Sequence, residues 1–210
     1  MHKFLLWDHD GVLVDTEEWY FSATKESLAS LGCEINRETY LELMAQGRGY
    51  WEAARQRGIS EAAILEARRR RDALYQEYLG KNKIDIEGVA DVLSELSATH
   101  RMAIVTTSRR EDFDLIHRSK QILKHFEFVI TAEDCANLKP APDPYIQALR
   151  RFNAKPSDAL AIEDSARGLR SGLAAGLDCV IVRNAFTDTQ DFSGAYSILS
   201  SIRQLPSLLV

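Results

Sequence analysis

Five short apolar runs punctuate the chain: Phe4-Leu5-Leu6-Trp7, Met102-Ala103-Ile104-Val105, Phe128-Val129-Ile130, Ala159-Leu160-Ala161-Ile162 and Cys179-Val180-Ile181-Val182. Each is too short for a helix, and the set is rich in β-branched residues, which suits strands buried on both faces. Between the later runs lie helical patterns at residues 144–152 and 166–175. Asp143 before Pro144 is a good helix start and Gly176 a good stop. Strands alternating with helices predict an α/β fold with a parallel sheet covered by helices on both faces.

One stretch breaks the alternation. From Thr16 to Leu79 the pattern is helical, with Leu28, Leu31, Leu41, Met44, Ile64, Leu65 and Leu74 at helical spacings. Breaks fall near Gly32, Gly47-Arg48-Gly49 and Gly58, and Asn36 and Ser60 are expected N-caps. So many helical residues exceed what one crossover between neighbouring parallel strands requires. The economical reading is an all-helical domain, residues 16–84, inserted after the first strand of an α/β core formed by residues 1–15 and 85–210.

Composition narrows the function classes. A net charge of -5 over 210 residues argues against a general nucleic-acid binder. The basic run Arg68-Arg69-Arg70-Arg71 sits in a helical pattern beside Glu66 and Asp72, and reads as a solvated helix face. Three cysteines without C-x-x-C spacing give neither a disulfide framework nor a zinc site. The opening apolar run is broken at once by Asp8, too soon for a signal peptide or membrane span. A cytoplasmic chain without membrane or nucleic-acid partners, monomeric by default, is expected.

Ligands of open parallel sheets bind beyond the carboxyl ends of the strands, and these ends carry a consistent chemistry. The first ends in Asp8-His9-Asp10-Gly11 and the second in Thr106-Thr107-Ser108. Lys139 follows the third, and the fourth ends in Glu163-Asp164. Carboxylates gathered at one edge repel and need a cation or a proton. Oxygen-only ligands suit Mg2+, and a bound phosphate would be balanced by Lys139 and donors near Thr106. Ser108 with Glu111 reads as a capping box, placing an anion-favouring helix N-terminus near the second strand end.

These residues resemble the motif set of the haloacid dehalogenase-like hydrolase superfamily. Asp8 to Glu17 looks like its first motif and Ile104 to Ser108 its second. Leu138-Lys139-Pro140 with Pro142-Asp143-Pro144 resembles the third, and Ile162 to Ser165 the fourth. The resemblance covers almost the whole chain and implies a Rossmann-like core, with the helical insertion as a C1-type cap. It implies Asp8 as nucleophile and Asp10 as general acid and base. Thr106 and Lys139, with Thr107, would bind phosphoryl oxygens. Mg2+ would be held by Asp8, the backbone carbonyl of Asp10 and Asp164, with Glu163 nearby or bound through water. The cap loop in this family faces the active site, which makes Arg48, Tyr50, Tyr20 and Arg109 candidates for substrate contact.

The implied activity is a Mg2+-dependent phosphatase that hydrolyses a small phosphorylated metabolite through an aspartyl-phosphate. A D-x-D-G string also opens EF-hand calcium loops, but Val12 and Leu13 stand where that motif wants an acidic residue and glycine. Two alternatives stay open: a β-phosphoglucomutase-like isomerase, and a phosphate-ligand binder without turnover. The first cap helix carries Tyr20 and Thr24 where the mutase subgroup typically has a His and a Trp. His9, lying between the two aspartates, is expected to point away from both if strand alternation continues.

Overall fold

The computed structural model describes residues 2–118 and 120–209. Its sheet comprises β1 (Phe4–Trp7), β2 (Arg101–Val105), β3 (Phe128–Ile130), β4 (Ala159–Glu163), β5 (Asp178–Val182) and β6 (Ser197–Leu199). The order is β3-β2-β1-β4-β5-β6, parallel throughout. This is the α/β, Rossmann-like sheet that the apolar runs predict, with β6 as an addition at one edge.

Strand alternation builds two cores. Leu5, Trp7, Met102, Ile104, Leu160, Ile162 and Val180 face one side, where α5 (Val89–Leu96), α6 (Arg110–His117) and α9 (Leu205–Leu208) supply Val92, Leu93, Phe113 and Leu205. Leu6, Ala103, Val105, Ala161, Cys179 and Ile181 face the other, against α7 (Asp143–Phe152) and α8 (Ala166–Ala174). Both faces are therefore dry, and β1 at the centre is buried from Leu5 to Trp7. Consecutive strands run outward from β1 to β2 and β3 on one side, and from β4 to β6 on the other. The topological switch point, where ligands of such sheets bind, lies at the carboxyl ends of β1, β2 and β4.

The chain divides into two compact units, Met1–Asp15 with Asp85–Val210, and Thr16–Ile84. The second unit is helical, with α1 (Glu17–Ala29), α2 (Arg37–Gln46), α3 (Glu52–Gln56) and α4 (Glu61–Lys81), and α1 packs along α4. Asn36 and Ser60 cap α2 and α4 through Thr39 N–H and Ala63 N–H. Gly47 ends α2 at φ 68°, a left-handed conformation that costs glycine nothing.

In α4 the helical reading holds and one reading is corrected. Leu65 is 49% exposed, because the buried line runs through Ile64, Ala67, Arg71, Tyr75 and Leu79. Arg71 is not part of a solvated basic face: it is buried, its Nε donates to Asp72 at 2.6 Å, and its guanidinium lies 4.7 Å from the Tyr20 ring centre. The phenol of Tyr20 accepts from the same guanidinium. No helix among the described residues is long and apolar enough to cross a membrane.

Candidate active site

Asp8 follows β1, its backbone N–H still bonded to the Ile162 carbonyl of β4 at 2.8 Å. Its side chain thereby emerges at the switch point, where Lys139 meets it. The Lys139 ammonium donates to Asp8 Oδ1 at 2.8 Å, Glu163 Oε1 at 2.7 Å and the Val105 carbonyl at 2.7 Å. Three acceptors match the three protons of an ammonium. Burial works to lower the Lys139 pKa, but Asp8 and Glu163 more than offset it, and the net direction is upward.

Glu163 is fully buried, and its Oε1 also accepts from the Tyr145 hydroxyl at 2.6 Å. Burial first, then the charge of Asp8, push the Glu163 carboxyl up to about 7, against the pull of Lys139. Its carboxylate occupies the space beside Gly168 of α8, where a Cβ would collide with it. Alanine normally gains up to about 1 kcal/mol over glycine inside a helix. Here Gly168→Ala is expected to lose about 1–3 kcal/mol through overpacking, read as a lower urea midpoint. A raised midpoint would show that Glu163 yields easily.

Asp164, also buried, is held from two sides. Asn184 Nδ2 donates to its Oδ2 at 2.8 Å, and the Thr187 hydroxyl donates to its backbone carbonyl at 2.7 Å. Gly11, at φ 80°, makes room for this arrangement, since a Cβ there would collide with the Asp164 carboxylate and Asn184. Asp8, Glu163 and Asp164 each offer an oxygen such that the three lie within 4.8 Å of one another.

Three buried carboxylates against the Lys139 ammonium leave an excess of negative charge. That excess and the all-oxygen donor set fit a hard divalent cation. Glu163 Oε1 already takes hydrogen bonds from Lys139 and Tyr145, whereas its Oε2 is buried with no hydrogen-bond partner among the described residues.

Asp10 is bound through Oδ2. Ser108 Oγ donates to that oxygen, Thr106 Oγ1 lies 3.4 Å from it and His9 Nδ1 3.2 Å. His9 therefore does not point away from Asp10, because the chain leaves the strand after Trp7 and turns. Its other ring nitrogen, Nε2, lies 2.9 Å from His117 Nε2. The expected Ser108–Glu111 capping box does not form. The helix begins at Arg110, with Ser108 Oγ taken by Asp10 and the Arg110 N–H donating to the Glu133 carboxylate at 3.0 Å. A carboxylate thus already occupies that helix end.

The remaining candidates are held by other partners. Arg109 is clamped to Asp112 by two hydrogen bonds of 2.8 Å, and Thr107 Oγ1 lies 3.5 Å from an Arg167 nitrogen. Arg48 belongs to the helical unit, where it reaches Gln46 at 3.4 Å. In the same unit Tyr50 stacks on Tyr40 with ring centres 4.3 Å apart. Sequence reasoning missed Tyr145, Asn184 and His117. Asn184 had a readable signal, since it stands just past the end of β5, on the edge where the other polar groups gather.

The model of the haloacid dehalogenase-like hydrolase family matches residues 5–182. The chain belongs to that family. Protein CbbY of Rhodobacter capsulatus is 33% identical over 205 residues, covering 92% of this chain and 90% of the relative. Fructose-1-phosphate phosphatase YqaB of Escherichia coli is 26% identical, with 85% and 95% of the two chains covered. Among solved structures, a mutant of CbbY from Rhodobacter sphaeroides in complex with xylulose-(1,5)bisphosphate superposes with a TM-score of 0.84 at 29% identity. It covers 98% of this hydrolase and 96% of that chain. This hydrolase is an enzyme of the phosphohydrolase class.

Proposed function

We propose that this hydrolase is a phosphatase for a small phosphorylated metabolite, with sugar phosphates as the substrate class, acting through an aspartyl-phosphate on Asp8. The observation that carries the reading is Lys139, buried and shared between Asp8 and Glu163 at the switch point of the sheet. Support for the substrate class comes from the relatives, which include a fructose-1-phosphate phosphatase and a CbbY crystallised with a sugar bisphosphate.

In this reading the Asp8 carboxylate attacks phosphorus and the bond to the leaving oxygen breaks, while Asp10 gives that oxygen its proton. Asp10, now ionised, takes a proton from water, whose oxygen attacks the phosphorus of the acylphosphate. Asp8 is released with inorganic phosphate. Lys139 neutralises phosphoryl oxygens, and Glu163, fixed by Tyr145, keeps Lys139 in place. Asp8, Asp164 and the Asp10 backbone carbonyl would hold Mg2+, which supplies charge neutralisation for the phosphoryl group. The helical unit serves as the cap that reads the substrate, with Arg48, Tyr50 and Tyr20 as candidate contacts.

A panel of phosphorylated metabolites, assayed for released phosphate with and without Mg2+, tests the reading. Failure to release phosphate from any of them or from p-nitrophenyl phosphate would favour a binder. Conversion of β-glucose 1-phosphate to glucose 6-phosphate without phosphate release would favour a mutase.

Asp10→Asn separates the two aspartates. It should lower kcat by roughly a hundredfold to ten-thousandfold, the cost of losing a general acid, while Mg2+ affinity stays near that of the wild type. Asp164→Asn should weaken Mg2+ binding steeply. Equal loss of Mg2+ affinity in both variants would overturn the assignment of Asp10.

A further inference from the structure

We propose that His117 and His9 form a positioning pair that fixes the Asp10 carboxylate for proton transfer. The inference rests on the reading of Asp10 as general acid and base. It starts from two buried imidazoles which the phosphatase reading leaves without a role. His9 is fully buried and its Nδ1 lies 3.2 Å from Asp10 Oδ2. His117, at the last position of α6, approaches His9 with Nε2 to Nε2 at 2.9 Å. Phe113, one turn earlier on α6, packs on both rings, with centres 4.9 Å from His9 and 4.4 Å from His117.

Proton inventory gives the pair a direction. An ionised carboxylate only accepts, so His9 must carry its proton on Nδ1 to hydrogen-bond Asp10. Neutral His9 then has a bare Nε2, which accepts from an N–H on His117 Nε2. That leaves His117 Nδ1 without a proton, and this nitrogen is buried with no hydrogen-bond partner among the described residues. Burial first, then His9 and Lys120, lower the His117 pKa to about 3, with Asp10 opposing. His117 is thus neutral near pH 7 and has a single N–H to give.

The consequence falls on Asp10. Ser108 Oγ, Thr106 Oγ1 and His9 Nδ1 converge on Oδ2. Donors arriving from three directions hold Oδ2 in place, and with it the orientation of the carboxylate that passes the proton. His117, by fixing the tautomer of His9, keeps the Nδ1 donor on Oδ2. A side chain that acts through another in this way is a positioning residue.

The experiment compares His117→Phe, which keeps bulk and loses the donor, with His117→Gln, which restores an N–H near the Nε2 position. Turnover of p-nitrophenyl phosphate with Mg2+ should fall about ten- to a hundredfold in kcat for His117→Phe. KM should stay within about twofold and Mg2+ half-saturation should not move, as expected of a group that alters only proton transfer. His117→Gln should recover most of the loss. Adding His117→Phe to His9→Phe should cost little more than His9→Phe alone, since His117 acts only through His9.

Nitrogen-15 NMR of the wild type should report His9 protonated on Nδ1, a measurement that needs no variant to fold. His9 protonated on Nε2, unchanged kcat in His117→Phe, or equal losses in the Phe and Gln variants would each overturn the proposal. Asp10→Asn, run alongside, keeps the two readings apart. If it remains active, the role of Asp10 fails. If it is inactive while His117→Phe is not, only the positioning pair fails.

Discussion

Asp8→Asn should abolish phosphate release, by at least about ten-thousandfold in kcat, as removal of a covalent nucleophile does elsewhere. The amide is nearly isosteric with the carboxylate, so the side-chain volume at the end of β1 is kept. Lys139 retains its bonds to Glu163 and the Val105 carbonyl. What is lost is the negative charge and the lone pair that attacks phosphorus. Acid-quenched wild-type protein should carry phosphate on the peptide containing Asp8, seen by mass spectrometry, and the variant should carry none. Residual activity above about one part in ten thousand in a pure preparation would mean that another group attacks.

Lys139→Met carries the largest expected effect on stability. The ammonium is buried, and removing it leaves Asp8 and Glu163 facing each other without their shared partner. Breaking one side of a buried ion pair typically costs about 3–5 kcal/mol. Glu163 can soften the loss by taking up a proton, since its carboxyl is already pushed up to about 7. The double variant Lys139→Met, Glu163→Gln should therefore recover part of the stability and none of the turnover, because the phosphoryl charge would still lack its counter-charge. Thermal unfolding with calorimetry reads both. A single variant that melts like the wild type would show that Lys139 is not the group holding these carboxylates together.

Much of the fold could be read from the sequence because burial on both faces leaves a plain mark. Strands such as Met102–Val105 and Ala159–Ile162 are unbroken apolar runs, and each stops where polar chemistry begins. β6 escaped notice because it is three residues long and borders the sheet, with Ile198 44% exposed. The shared sheet edge of Asp8, Thr106, Lys139 and Asp164 was legible for the same reason, since each follows a strand. Tyr145, Asn184 and His117 were not, because their significance arises only when distant segments approach. Ser108 shows the reverse case. Its spacing to Glu111 fits a cap, yet a carboxylate from β1's end competes for the hydroxyl and wins. Arg71, too, looked solvated from its basic neighbours, whereas the helix turns it inward beside Tyr20 and Asp72.

The placement of Asp8 after the innermost strand has a consequence for how the protein is made. The ribosome delivers that carboxylate before the groups around it, which arrive only with residues 106, 139, 163 and 184. β1 cannot settle until β2 and β4 flank it, so its pairings close over long loops and form late. Until then Leu5, Leu6 and Trp7 stay uncovered and prone to associate with other apolar surfaces. Until those later segments emerge, the chain carries the nucleophile without its partners and an apolar strand without its cover.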